Sequence, residues 1–171
     1  MHKIHMPEIA ALDLEAIKIK LMHKESGEGW SLERACKVEL EYRRFLYLMK
    51  HFPKAQTAPL AEVDTFWHYH ILDTMKYAAD CQAVFGYFLH HYPYIGMRDD
   101  EELRQDAGQR MAQLYEATFG ESYLLAGQRM AFCGAADDSV PVPPVRLAFC
   151  GAADDSIPVP PSTIRQDAAH A

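Results

Sequence analysis

The chain has 171 residues, 49% of them hydrophobic, with 24 acidic against 17 basic side chains and a formal net charge of −7 at pH 7. Such length and apolar content suit one domain with a real core plus an appendage, while the acidic balance excludes the concentrated Lys/Arg face that nucleic acid or an anionic membrane requires. No stretch reads as a membrane span or a secretory signal, so the cytoplasm is the expected location, where Cys36, Cys81, Cys133 and Cys150, which form no CxxC pair, are expected as thiols.

The first helix is expected over 8–24, from the spacing of Ile9, Leu12, Ala16 and Ile19, and the run Ser26-Gly27-Glu28-Gly29 ends it. A second follows Ser31, a good N-cap, and continues to Pro53. Its apolar side carries Ala35, Val38, Tyr42, Phe45, Leu46 and Met49, and its polar side Glu33, Lys37, Glu41 and Arg44. A third opens at Thr57 and Pro59, since proline is tolerated in a first turn, and runs to Leu72.

Asp73 can cap a fourth helix over 74–91. Met75, Ala78, Val84, Phe85, Phe88 and Leu89 make it apolar on several sides, which predicts a central place, and Pro93 and Gly96 close it. A fifth starts after Asp99 and passes through Leu103, Ala107, Met111, Leu114 and Tyr115 to Gly120. No period-two pattern competes with these segments. The expected fold class is all-α: a bundle of about five helices over 1–125, followed by a flexible Pro-rich tail over 126–171.

That tail repeats itself. Residues 129–145 and 146–162 are tandem copies identical at 14 of 17 positions. Prolines at 141, 143, 144, 158, 160 and 161 favour extended conformations, and two such short units cannot stack into a solenoid core. Each copy begins at an Arg where a protease can cut, then presents a Cys beside a Gly and two adjacent carboxylates. This nominates Cys133, Asp137, Asp138, Cys150, Asp154 and Asp155 as sites of modification. The layout resembles the multi-core precursors of ribosomally made, post-translationally modified peptides, which implies peptide-modifying enzymes or a processing protease as partners. A tolerated duplication in a disordered tail is the plainer alternative.

The most distinctive run is Val63-Asp-Thr-Phe-Trp-His-Tyr-His-Ile-Leu72, with His90-His91 further on. At about 100° per residue Asp64 and His68 stand one turn apart and can meet, while His68 and His70 point to nearly opposite sides. The candidate metal ligands are Asp64, His68, His70, His90 and His91, for a transition ion such as copper, iron or zinc. Asp64 with His68 reads first as a structural hydrogen bond in which the carboxylate fixes the imidazole tautomer, with metal binding and then an acid-base pair as the alternatives. If the fourth helix ran unbroken to His91, the two sets would stand roughly 12 to 18 Å apart. A single site therefore needs a bend or a different crossing, and without one His90 and His91 belong to a helix cap or partner surface. Cys81, in an apolar helix, reads as a core thiol.

Asp64-x-x-Trp67-His68-x-His70-x-Leu72, then Tyr77-x-x-Asp80-Cys81 and Phe85-Gly86, resembles the signature of the glycine-rich domain-containing protein family. The likeness covers residues 30 to 95 and implies an α-helical domain without established catalytic residues. Plant members place a long glycine-rich tail after this region, where this chain has its cysteine repeats. Three functions remain open at this point: a precursor that presents modified peptide cores, a self-modifying metal-dependent enzyme, and a scaffold whose Pro-rich tail docks into a partner groove.

Overall fold

Ser31 accepts a hydrogen bond at Oγ from the Arg34 N–H at 3.2 Å and starts the longest helix among the described residues. The computed structural model describes residues 6–91, 101–124 and 126–127. Among these lie six helices and no β-strand: α1 (Pro7–Ala10), α2 (Glu15–Met22), α3 (Leu32–His51), α4 (Ala61–Leu72), α5 (Thr74–Val84) and α6 (Glu101–Phe119). The all-α class expected from periodicity is what the chain forms. No helix among the described residues is long and apolar enough to cross a membrane. The repeats at 129–145 and 146–162, with Cys133, Asp137, Asp138, Cys150, Asp154 and Asp155, lie outside the described residues, as does Asp99.

The 20-residue α3 is the hub. It packs against α1, α2 and α4, and α4 in turn packs on α2 and α5. Tyr42, Phe45, Leu48 and Met49 of α3 share one continuous core with Phe66 and Trp67 of α4, Tyr77 and Cys81 of α5, and Met111 and Tyr115 of α6.

Three boundaries differ from the sequence expectation. The first helix is split, because both Leu12 and Leu14 are buried, which a continuous amphipathic helix cannot arrange two residues apart. The Arg43 guanidinium crosses from α3 to accompany the break, donating to the carbonyls of Ile9 and, at 2.8 Å, Leu12. The third helix starts at Ala61 and not at Thr57: Thr57 is fully buried, and Ala58 donates its N–H to the Ala107 carbonyl at 3.3 Å. The fourth stops at Val84, seven residues before His91.

Two packing expectations are also corrected. Met75 is 86% exposed and Phe88 44% exposed, so α5 buries one face through Tyr77, Cys81 and Val84 and is not central all round. Glu41 and Arg44, expected on the solvent side of α3, are buried. Arg44 donates to Glu41 Oε1 at 3.2 Å, to both carboxylate oxygens of Glu121 at 3.0 and 3.1 Å, and to the Tyr115 hydroxyl, which itself donates to Glu41 Oε2 at 2.8 Å. The network stays charged inside the protein because each charge faces an opposite one. Burial, reinforced by Glu41, pushes the Tyr115 phenol well above its ordinary range.

Candidate metal centre

Helix α4 carries two histidines two residues apart and sends them to opposite environments, as the helical rotation requires. His70 is 1% exposed. Its Nδ1 lies 2.8 Å from the Tyr42 hydroxyl, and its Nε2 lies 2.9 Å from Asp80 Oδ2, an oxygen that also receives Lys76 Nζ at 2.8 Å. A neutral imidazole fits both contacts, accepting from Tyr42 at one nitrogen and donating to Asp80 from the other. Burial favours that neutral form and lowers the His70 pKa, outweighing the opposing pull of Asp80. His70 thus ties α3, α4 and α5 together, and it is a bolt of the fold and not a ligand of the cluster described next.

The end of α5 decides where His91 goes. Phe85 and Gly86 donate their N–H groups to the Cys81 carbonyl at 2.8 and 3.2 Å. Gly86 then takes φ +77°, a left-handed conformation that ends helices and costs glycine little. The segment 87–91 runs on without helix and is held by a buried relay. The Trp67 indole N–H donates to the Tyr77 hydroxyl at 2.8 Å, and that hydroxyl donates to the Leu89 carbonyl at 2.5 Å. Two residues later the His91 ring lies 4.8 Å from the Trp67 ring. The turn at Gly86 supplies the bend that a single site needs.

His91 therefore meets Asp64 and His68. His91 Nε2 lies 3.0 Å from Asp64 Oδ1 and 3.0 Å from His68 Nε2, and His68 Nε2 lies 3.5 Å from Asp64 Oδ2. The side chains of His91 and Asp64 are 10% and 13% exposed, while that of His68 is 48% exposed, so the cluster is walled on the protein side and open to solvent on the other. A purely hydrogen-bonded triangle would ask the single N–H of a neutral His91 Nε2 to point at a carboxylate and at a second imidazole nitrogen together. A cation between the three takes one lone pair from each. Ligand bonds of about 2.0 to 2.2 Å with tetrahedral or octahedral angles place neighbouring donor atoms about 2.8 to 3.6 Å apart, a range that includes the nearest separations found here. Asp64, His68 and His91 form a group that can hold a metal ion.

His90, by contrast, is exposed, with its ring 4.8 Å from that of Phe88. Cys81 is 2% exposed and burial raises its pKa, in keeping with a core thiol, whereas Cys36 is exposed. Sequence reasoning missed Tyr42 as the partner of His70 and Tyr77 as the clamp on Leu89, since both sit at ordinary apolar positions of amphipathic helices. The one available signal for Tyr77 was its place in the ordered motif with Trp67, Asp80 and Gly86.

The family described as UCP032817-like matches residues 11–121, a span that holds the whole cluster and stops short of the repeats. No curated protein and no solved structure matches the chain.

Proposed function

The chain belongs to the UCP032817-like family, and we propose that its helical body binds one divalent transition ion through Asp64, His68 and His91 and serves as the folded part of a peptide precursor whose product units are the tandem repeats. The observation that carries the metal reading is the convergence of one ligand atom each from Asp64, His68 and His91 to within 4.8 Å of one another at a site walled on one side. Two imidazoles and one carboxylate suit zinc, iron or copper better than magnesium or calcium, which prefer all-oxygen sites. Such a set leaves further coordination positions on the open face for water or a substrate atom.

The precursor reading rests on the near-identity of residues 129–145 and 146–162, each copy opening at an arginine and carrying one cysteine and an acidic pair. The likeness of the Trp67-to-Gly86 motif to glycine-rich domain-containing proteins is compatible with a helical presenting domain and assigns it no reaction. Modifying enzymes or a protease acting on the tail would be its partners, in a cytoplasm that keeps the thiols reduced.

Two measurements test the two halves separately. Equilibrium dialysis of the full chain against zinc and cobalt(II), with metal counted by elemental analysis, is expected to give one ion per chain, lost on Asp64→Asn or His91→Ala. Substoichiometric metal, or unchanged metal in both variants, refutes the site. Intact mass of the tail from the native organism, compared with the same chain made alone in a foreign host, is expected to differ by a modification or a cleavage. Equal masses refute the precursor role.

A further inference from the structure

A Cβ at Gly86 would meet no atom within 4 Å, so crowding does not dictate the turn there. Glycine takes left-handed and right-handed conformations about equally readily, and its φ of +77° is therefore set by whatever holds its neighbours. His91 lies five residues downstream of this joint. A swing of about 10° carries the end of an extended five-residue stretch through as much as about 3 Å, whereas a metal ligand must sit within about 0.2 Å of its place.

The peptide plane between Phe85 and Gly86 is held on both edges. On one edge the Gly86 N–H donates to the carbonyls of Cys81 and Gln82 at 3.2 and 3.1 Å. On the other the Phe85 carbonyl accepts from Lys50 Nζ at 3.2 Å. Phe85 follows the last residue of α5, so no N–H of that helix can satisfy its carbonyl. Lys50 arrives from the last turn of α3, half-buried, and brings a positive charge to the negative end of α5. The Phe85 ring, buried in the core, anchors the residue but leaves the direction of its carbonyl to be fixed. The neighbouring His51 is exposed, with its ring stacked 4.0 Å from that of Tyr47.

We propose that Lys50 is a positioning residue of the metal centre: by fixing the plane ahead of Gly86, its ammonium aims the segment that delivers His91 to Asp64 and His68. This rests on the metal-binding reading above. With the Tyr77 hydroxyl on the Leu89 carbonyl at 2.5 Å, Lys50 pins residues 85–91 at two points, one on each side of the joint. Asp64 and His68 both stand on α4 and do not depend on Gly86, so loss of Lys50 loosens one ligand of the three.

The test is zinc affinity of the full-length chain, read by competition titration where every variant is folded by circular dichroism. Lys50→Met is expected to weaken binding about 3- to 10-fold, the net effect of one hydrogen bond, and to shift the ligand-field bands of the cobalt(II)-loaded chain. Lys50→Arg, which keeps a cationic donor of similar reach, is expected to restore both, and His51→Ala to change neither. A global loss of stability leaves affinity unchanged while the chain stays folded, so these readouts separate positioning from support of the fold. If Lys50→Met does not fold, Lys50→Gln, polar but too short to reach, carries the same expectation. Wild-type affinity and bands in the variant without the ammonium, or equal weakening in Lys50→Arg or His51→Ala, overturn the positioning role and leave the metal site standing. No zinc bound by the wild-type chain, or binding unchanged by Asp64→Asn, overturns the metal reading and this proposal with it.

Discussion

The two faces of α4 use the same residue type for opposite ends. On the inner face His70 has its two ring nitrogens opposite the Tyr42 hydroxyl and the Asp80 carboxylate, and nothing further is asked of it. On the outer face His68 and His91 bring two Nε2 atoms to 3.0 Å of one another beside Asp64. Proton count separates structural histidines from candidate ligands: where donors and acceptors alternate around a ring, the group belongs to the fold, and where acceptors crowd, a cation fits. Burial reinforces the distinction, with the His70 side chain 2% exposed and the His68 side chain 48% exposed.

The sharpest break in that comparison is His70→Ala. It removes the acceptor of the Tyr42 hydroxyl and a donor to Asp80 and leaves a cavity, so we expect a loss of about 3 kcal/mol in denaturant unfolding. A smaller loss than about 1 kcal/mol would show that the inner contacts are not structural. Tyr77→Phe comes next. It keeps the ring but takes the acceptor from Trp67 and the donor from the Leu89 carbonyl, at an expected cost of about 1 to 3 kcal/mol. Because that relay sets the course of residues 87–91, zinc affinity by competition titration is expected to fall about 10- to 100-fold as well. Affinity within twofold of the wild-type value would disconnect the relay from the cluster.

A graded effect should appear with pH. Burial, opposed by Asp80, holds the His70 pKa below its ordinary value of 6.5, so the unfolded chain takes up the proton first as pH falls. Stability from this group is complete above about pH 6.5 and declines as pH drops toward the folded-state value. His70→Ala is expected to remove that part of the slope in denaturant midpoint against pH, and an unchanged slope would assign the acid sensitivity elsewhere. The smallest stability change should come from His68→Ala. Its side chain is half exposed, so unfolding should move by no more than about 0.5 kcal/mol while zinc binding is weakened severely. Loss of both together would place His68 in the fold and not at a site.

Much of this was legible before any coordinates. The 3.6-residue spacing and Ser31 mark α3, and the helical rotation alone sends His68 and His70 apart. The members of the cluster, Asp64, His68 and His91, stood among the sequence candidates, but the bend that joins them was not legible, because the apolar run Val84-Phe85 and Phe88-Leu89 reads as more helix, and a single glycine within such a run does not announce a reversal. Its left-handed turn, fixed by the Trp67–Tyr77–Leu89 relay, is a tertiary event. Glu41 and Arg44 were misplaced for a related reason: periodicity sends charge outward unless a partner neutralises it inside, and here the partners Tyr115 and Glu121 lie more than 70 residues away.

The chain holds two tryptophans, and the indole of Trp67 is fully buried with the His91 imidazole 4.8 Å from it. Copper(II) or cobalt(II) arriving at that imidazole would quench a nearby indole's emission, so the protein contains its own optical gauge of occupancy. A Trp30→Phe variant would isolate that signal, allowing ion uptake and release to be followed by stopped-flow fluorescence without attaching a dye.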